Sequence, residues 1–320
     1  MISGYLPVSY GHTIYYELHG VIRGTKHTKC AVVLHGGPGA GLDRTLLQLF
    51  DLKHWCVLLF DQRGCVKSTP FGSLDHNTTW DLIEDIESLR CLVGCDTWLI
   101  QGGSWGTTLA LAYAEKYPER VSGLVLRGLS LSDETSFSWF YEKGGASEVY
   151  PEQWTSFVSV LPPRLRTAGW RQITAYYQKK LKSPIQAVIQ RYADTWCQWE
   201  TSTMYFIPKR IHCSPKENVA VARLENHYFV HDCWLKPNQL IKDAYKLRHI
   251  PITIVHGRYD MICPITASFE LCKALPHVKL IVLNVGHDTE EPGMMKALKQ
   301  SVTTMTSRYR KRQTRKKRRE

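Results

Sequence analysis

The sequence predicts an α/β fold, a mostly parallel, doubly wound sheet carrying an inserted helical cap. Three observations carry this reading. Short apolar runs alternate with amphipathic helical patterns over the first 128 residues. A strand, a tight turn and a helix meet at Trp98–Tyr117. Strand-like runs then return at 252–257 and 280–283, after a long aromatic-rich helical stretch. The expected units are a core of 1–128 and 247–307, a cap of 129–246 and a basic, unfolded tail of 308–320. A chain of 320 residues suits such a core with an insertion.

Residues 5–19 read as a hairpin turning at Gly11-His12. Ala31–Leu34 is a short buried strand that runs into His35-Gly36-Gly37-Pro38-Gly39, a loop whose glycines let backbone amides approach a ligand. Val57–Phe60 is a second buried strand, closing on Asp61-Gln62-Arg63-Gly64. Leu82, Ile83, Ile86 and Leu89 mark a helix that Thr78 and Asp81 would start as a capping box. Leu124–Arg127 is another strand. In the cap, Ile185, Val188, Ile189, Tyr192, Trp196 and Trp199 share one helical face over 184–200. A helix over about 293–307 closes the fold.

Gly102-Gly103-Ser104-Trp105-Gly106 fits G-x-S-x-G between the strand Trp98–Gln101 and a helix from Thr107. That order makes the pentapeptide a nucleophile elbow, with Ser104 on a strained backbone and its hydroxyl exposed. A serine hydroxyl needs a base, and the base needs an orienting carboxylate. Asp260 follows the strand 252–257 and His287 follows the strand at 280–283, so both fall at the carboxyl edge of the sheet beside Ser104. The expected catalytic set is Ser104, His287 and Asp260. The amides of Trp105 and Gly37 (or Gly36) are the expected oxyanion donors. Such chemistry calls for no metal and no cofactor.

Composition narrows the classes further. No run approaches the roughly 18–20 apolar residues of a membrane-spanning helix, and the first residues lack the layout of a secretory signal. Ten cysteines occur without a C-x-x-C pair or zinc-like spacing, which points to free thiols in a reducing cytoplasm. The net charge of +12 is concentrated at one end: 308–320 holds nine Lys or Arg and one Glu, leaving +4 elsewhere. That tail has the composition of a polyanion-binding or nuclear-import segment, or of a solvated end.

Taken together, these residues resemble the proline iminopeptidases (prolyl aminopeptidases) of the α/β-hydrolase fold. The matching stretches are HGGPG at 35–39, LFDQRG at 59–64, NTTWDLIEDIE at 77–87, GGSWGTTLALAYAEKYPERV at 102–121, HGRYD at 256–260 with Cys263-Pro264, GH at 286–287 and EPG at 291–293. The resemblance covers about 1–305 and implies a serine peptidase acting on peptides with a free N-terminal proline. It also implies that Glu200 and Glu225, in the cap, bind the substrate's amino terminus. A secondary ammonium offers two N–H donors, one for each carboxylate. If the helix over 184–200 ends near Glu200, a negative charge there opposes the helix dipole, an independent hint that Glu200 is not there for stability. Phe229, with Trp139 and Tyr141 behind it, is the expected wall of a pyrrolidine pocket.

Three departures bear on this reading. Val66 stands where the family usually has glycine, 129–138 diverges near the expected proline pocket, and Asp288-Thr289-Glu290 puts unusual acidity after His287. Two other classes stay open at this point: an esterase or amidase without proline preference, and a non-catalytic binding module on the same fold.

Overall fold

The computed structural model describes residues 1–21, 29–209, 211 and 214–317, with only the backbone of the last helix described from 306 onward. Eight strands form one sheet: β1 (Ile2–Pro7), β2 (Thr13–Gly20), β3 (Lys29–Leu34), β4 (Trp55–Phe60), β5 (Trp98–Gly103), β6 (Val121–Arg127), β7 (Ile252–Gly257) and β8 (Lys279–Leu283). Their spatial order is β1-β2-β4-β3-β5-β6-β7-β8. The β1–β2 hairpin and its junction with β4 are antiparallel, and every later pairing is parallel. Hence β3, β5, β6 and β7 all present their carboxyl ends at one edge, where functional loops of such sheets gather.

The central strands are apolar on both faces because helices cover both. Along β3 and β4, Val32, Leu34, Leu58 and Phe60 enter one core, while Ala31, Val33, Val57 and Leu59 enter the other. The first core is filled by α1 (Thr79–Val93) and α2 (Trp105–Lys116), the second by the last helix through Met294, Leu298 and Val302. The Thr78–Asp81 capping box is present, and Gly94 ends α1 in the left-handed conformation that a β-carbon would disfavour.

Between β6 and β7 the described elements are helical. They include α3 (Glu134–Tyr141), α4 (Ala146–Val149), α5 (Pro151–Ser159), α6 (Trp170–Leu181), α7 (Gln186–Thr203), α8 (Pro215–Val230) and α9 (Gln239–Lys242). Their core is aromatic, and its polar tips are satisfied: Tyr177 OH donates to Phe157 O at 2.7 Å and Trp199 Nε1 to Phe140 O at 3.1 Å. Side chains clamp this layer to the sheet. Tyr228 OH donates to Asn77 Oδ1 at 2.7 Å, Thr79 Oγ1 to Cys233 O at 2.6 Å and Trp139 Nε1 to Met261 O at 2.8 Å.

Three expectations are corrected here. Ile185 is 59% exposed, because it is the N-cap of α7 and lies outside the buried stripe. After α10 (Thr266–Ala274), the closing helix α11 runs Met294–Lys317, so the backbone of 308–317 is helical where an unfolded tail was expected. Arg and Lys are good helix formers, and extending a helix already anchored on the sheet avoids the cost of a new nucleus. Residues 318–320 of that tail lie outside the described residues. Lastly, α2 begins at Trp105, directly after Ser104, rather than at Thr107.

Candidate active site

The elbow is built by close passage of backbone. A β-carbon on Gly102 would come within 2.4 Å of Gly106 O, and one on Gly106 within 2.1 Å of Leu34 O. Only glycine lets β5 and α2 approach so closely. Between them Ser104 sits at φ 56°, ψ −127°, a strained conformation for a residue with a side chain. Ser104 N donates to Arg127 O at 2.9 Å, which ties the turn to the end of β6. Trp105 opens α2, so its N–H has no partner within the helix.

The glycine loop after β3 is held by a neutral histidine. Gln62 N donates to His35 Nε2 at 3.0 Å, so the ring proton lies on Nδ1, which donates to Gly36 O at 2.9 Å. Burial, the largest influence, lowers the His35 pKa and keeps the ring uncharged. Gln62 also accepts from Trp105 Nε1 at 3.0 Å, coupling the loop to the elbow. A β-carbon on Gly36 would lie 3.2 Å from Ser104 Cβ, a measure of how near the loop comes to Ser104.

Asp260 is buried behind His287. Its Oδ2 accepts from His287 Nδ1 at 2.7 Å, and its Oδ1 accepts from Cys263 N at 2.8 Å and Ile262 N at 3.1 Å. Burial alone would raise its pKa. The neighbouring His287 and the hydrogen bond to His256 outweigh that and hold the carboxyl well below the usual range. His287 N donates to Met204 O at 2.8 Å, so the end of α7 helps to place the histidine. Burial pushes the His287 pKa down; Asp260 opposes this and the Arg127 charge adds to it. Asp288 raises it only weakly, and Glu290 faces Tyr205 and Lys209 instead.

Arg127 was not foreseen. Its Nη1 lies 2.9 Å from His287 Nε2, the nitrogen expected to face Ser104, and the described hydrogen bonds include none between Ser104 and His287. Ser104 Oγ instead lies 4.0 Å from Cys263 Sγ. The guanidinium fits because residue 103 is glycine: a β-carbon there would meet Arg127 Nη2 at 2.6 Å. The available signal was a charged residue closing an otherwise apolar strand next to the elbow. Asp260, Cys263 and His287 also place one donor atom each within 4.8 Å of one another. Two of these three side chains are already bonded to each other.

A cavity of about 690 Å³ joins these parts. Ser104, His287, Gly37, Trp105, Glu200, Glu225 and Phe229 all line it. Trp139 does not, because its indole is turned to Met261 O, whereas Tyr141 does. Ser130, Ser132 and Ser136, from the divergent stretch, supply polar wall. Glu200 lies three residues before the end of α7, against the helix dipole.

The two glutamates form a coupled pair. Glu200 Oε1 accepts from Tyr141 OH at 2.7 Å, and Glu225 Oε2 accepts from Trp196 Nε1 at 2.7 Å. Burial and the nearby Glu200 charge raise Glu225 well above the ordinary carboxyl range. Burial raises Glu200 too, against the hydrogen bonds from Glu225 and Tyr141. Each carboxyl thus disfavours the charge of the other, and a cation placed between them would relieve both.

The profile of the alpha/beta hydrolase fold family matches residues 32–289. The chain is 41% identical over 307 residues to a proline iminopeptidase of Neisseria gonorrhoeae, covering 96% of each. It is 43% identical over 298 residues to one of Arabidopsis thaliana, covering 91% of this chain and 76% of the relative. Among solved structures, the proline iminopeptidase of Mycobacterium smegmatis superposes with a TM-score of 0.63 at 16% identity, over 95% of this chain and 98% of that one, a likeness of fold. With the elbow, the glycine loop and the Asp260–His287 pair at one sheet edge, the chain belongs to the proline iminopeptidases of the α/β-hydrolase fold.

Proposed function

We propose that this protein is a serine aminopeptidase that releases an N-terminal residue, preferably proline, from peptides. The observation that carries the reading is the Glu200–Glu225 pair opening into the same cavity as Ser104. Two close carboxylates, Glu225 buried and Glu200 half-buried, are costly unless a cation meets them. The substrate's ammonium supplies that cation and gives one N–H to each. A blocked or internal amine cannot do so, which makes the pair a gate for free termini.

Binding sets the scissile carbonyl beside Ser104. Arg127 releases His287 Nε2, which takes the hydroxyl proton as Oγ adds to the carbonyl carbon. The amides of Gly37 and Trp105 hold the oxyanion, each worth on the order of 10²–10³ in rate. His287 returns the proton to the leaving amine, and water, deprotonated in turn by His287, hydrolyses the acyl-enzyme. Asp260 keeps the proton of the resting ring on Nδ1 and stabilises the imidazolium.

Phe229 supplies a flat apolar wall, packed at ring-centroid distances of 5.0 Å from Phe137 and 5.7 Å from Tyr141. The three serines that also line the cavity favour a second reading, an esterase or amidase with relaxed preference at this position. Proline-, alanine- and acetyl-proline-p-nitroanilide assayed side by side separate the two. The aminopeptidase cleaves the first fastest and rejects the third; comparable turnover of the blocked substrate would overturn it.

Among the described residues no helix is long and apolar enough to cross a membrane. A cytoplasmic location follows in this reading from the cysteine usage. Polyanion contact through 308–320, with nuclear entry, is tested by salt-dependent binding to DNA or RNA that truncation at Arg308 abolishes.

A further inference from the structure

Just after α7 the chain packs against the loop that carries His287. The helix ends at Thr203, and the next carbonyl, Met204 O, is among the acceptors that a helix end leaves without an internal partner. His287 N donates to it at 2.8 Å. Two residues on, Phe206 N donates to Glu291 Oε1 at 2.6 Å. The loop therefore gives one donor and one acceptor to the stretch 204–206, and the two bonds make a clasp. The Phe206 ring also stacks on Tyr259, the residue before Asp260, with a centroid distance of 4.7 Å and an interplanar angle of 22°.

Glu291 is the side chain that closes this clasp. It is buried, whereas its neighbour Glu290 is exposed. A carboxylate is costly to bury unless hydrogen bonds reach it, and here a main-chain N–H of the cap does. The main chain of Glu291 is tied down as well: its N–H donates to Asp288 O at 3.3 Å, and Met294 N donates to its carbonyl at 3.1 Å. The fit is close. A β-carbon on Gly286 would lie 2.6 Å from Phe206 N, 2.9 Å from Met204 O and 3.0 Å from Glu291 Oε1, so all three converge on the residue before His287. Glu290 meets the same segment only at 3.4 Å, through Tyr205 OH and Lys209 Nζ.

We propose that Glu291 is a positioning residue for the reaction at Ser104: by holding 204–206 against the loop 285–291, it fixes the main chain of His287 and so the place of the imidazole. This role rests on the reading of Ser104 as nucleophile and His287 as base. Asp260 holds one ring nitrogen at 2.7 Å, but a bond at Nδ1 does not fix the Cα from which the ring extends. The clasp supplies that second point. Because 204–206 continues α7, which carries Glu200, one short run of chain joins the amine-binding wall to the base. A misplacement of about 1 Å at a reacting group costs up to about 10²-fold in rate, so a bond remote from the chemistry is enough to matter.

Glu291→Ala removes the acceptor, whereas Glu291→Gln keeps an oxygen at the same reach. Gly286→Ala drives a methyl group into the clasp from the other side and leaves Glu291 in place. The rate of fluorophosphonate labelling at Ser104 reports its activation by His287 without any peptide, and is read in the full-length protein beside kcat and KM for proline-p-nitroanilide. Glu291→Ala and Gly286→Ala, each shown to be folded by near-UV circular dichroism, should lose roughly 10–100-fold in labelling rate and in kcat, with KM little changed. Glu291→Gln should recover most of that loss, and Glu290→Gln should match the parent. Labelling at the parent rate in folded Glu291→Ala, or a glutamine variant as slow as the alanine one, would overturn the role of Glu291. A parent that is labelled at Ser104 yet leaves proline-p-nitroanilide uncut would overturn the peptidase reading instead, and the labelling rates would still decide the role of Glu291.

Discussion

Arg127 Nη1 donates to both Nε2 and the main-chain oxygen of His287, at 2.9 and 3.1 Å. The nitrogen that accepts the Ser104 proton in the proposed mechanism is therefore already engaged by Arg127. Burial first, and the Arg127 charge with it, lower the His287 pKa. Replacing Arg127 with Met removes a cation from a neutral-favouring site, so the histidine becomes easier to protonate. The acidic limb of the kcat/KM profile, which reports the free enzyme, should move to higher pH. An unmoved limb would mean that the contact exerts no force on the base.

The carboxylate pair separates function from stability. In the proposed role of the pair, Glu225→Gln removes one charge-assisted hydrogen bond to the substrate amine, worth about 1.5–3 kcal/mol. This corresponds to a loss of roughly 10–150-fold in kcat/KM on proline-p-nitroanilide. The folded-state pKa of Glu225 is raised, so its contribution to stability is complete below the unfolded carboxyl value and declines as pH rises above it. The glutamine variant escapes that decline, and its Tm at pH 8 should equal or exceed that of the parent. Thermal unfolding at pH 5 and pH 8 measures the difference.

Glu115 on α2 makes the same point away from the site. Both its carboxyl oxygens are buried without a hydrogen-bond partner, and burial, with Asp243 nearby, raises its pKa to about 9. Between the unfolded value and about 9 the native state binds the extra proton, so stability falls as pH rises through that window. Glu115→Gln should be more stable than the parent by about 1–3 kcal/mol at pH 8. The gain should shrink toward pH 5 in urea titrations.

Val66 carries a left-handed backbone at φ 34° with a β-branched side chain that is 50% exposed at the cavity rim. Such a conformation costs about 1–3 kcal/mol, and glycine escapes it at an entropic cost of about 0.5–1 kcal/mol. Little buried surface is lost, so Val66→Gly should raise stability by about 1 kcal/mol. Denaturant midpoints test this, and a destabilised variant would show that the valine side chain supports the neighbouring loop.

The fold was legible where local and global preferences agreed. Near-continuous apolar runs marked β3 to β7, because strands covered on both faces exclude polar residues. The capping box at Thr78–Asp81 and the glycines of the elbow are local devices, so the chain displays them directly. Ile185 departs from the expected stripe because periodicity cannot tell the first turn of a helix from an N-cap residue lying just before it. The α11 extension was missed because high charge argued for a tail, while an anchored helix continues at little cost.

Residue order along the chain determined the strand-turn-helix at Ser104, the placement of Asp260 and His287 after late strands, and the helical layer inserted before them. These depend on spacing and on contacts between near neighbours in sequence. Which atom faces which was decided only by folding. Arg127 reached His287 across 160 positions because β6 ends beside the elbow and Gly103 leaves room for a guanidinium. Glu200 and Glu225 came to face one cavity because α7 and α8 pack side by side, and Trp139 turned from it because Met261 O offered its indole a partner. Electrostatic coupling acts through distance in space, and sequence alone does not set that distance.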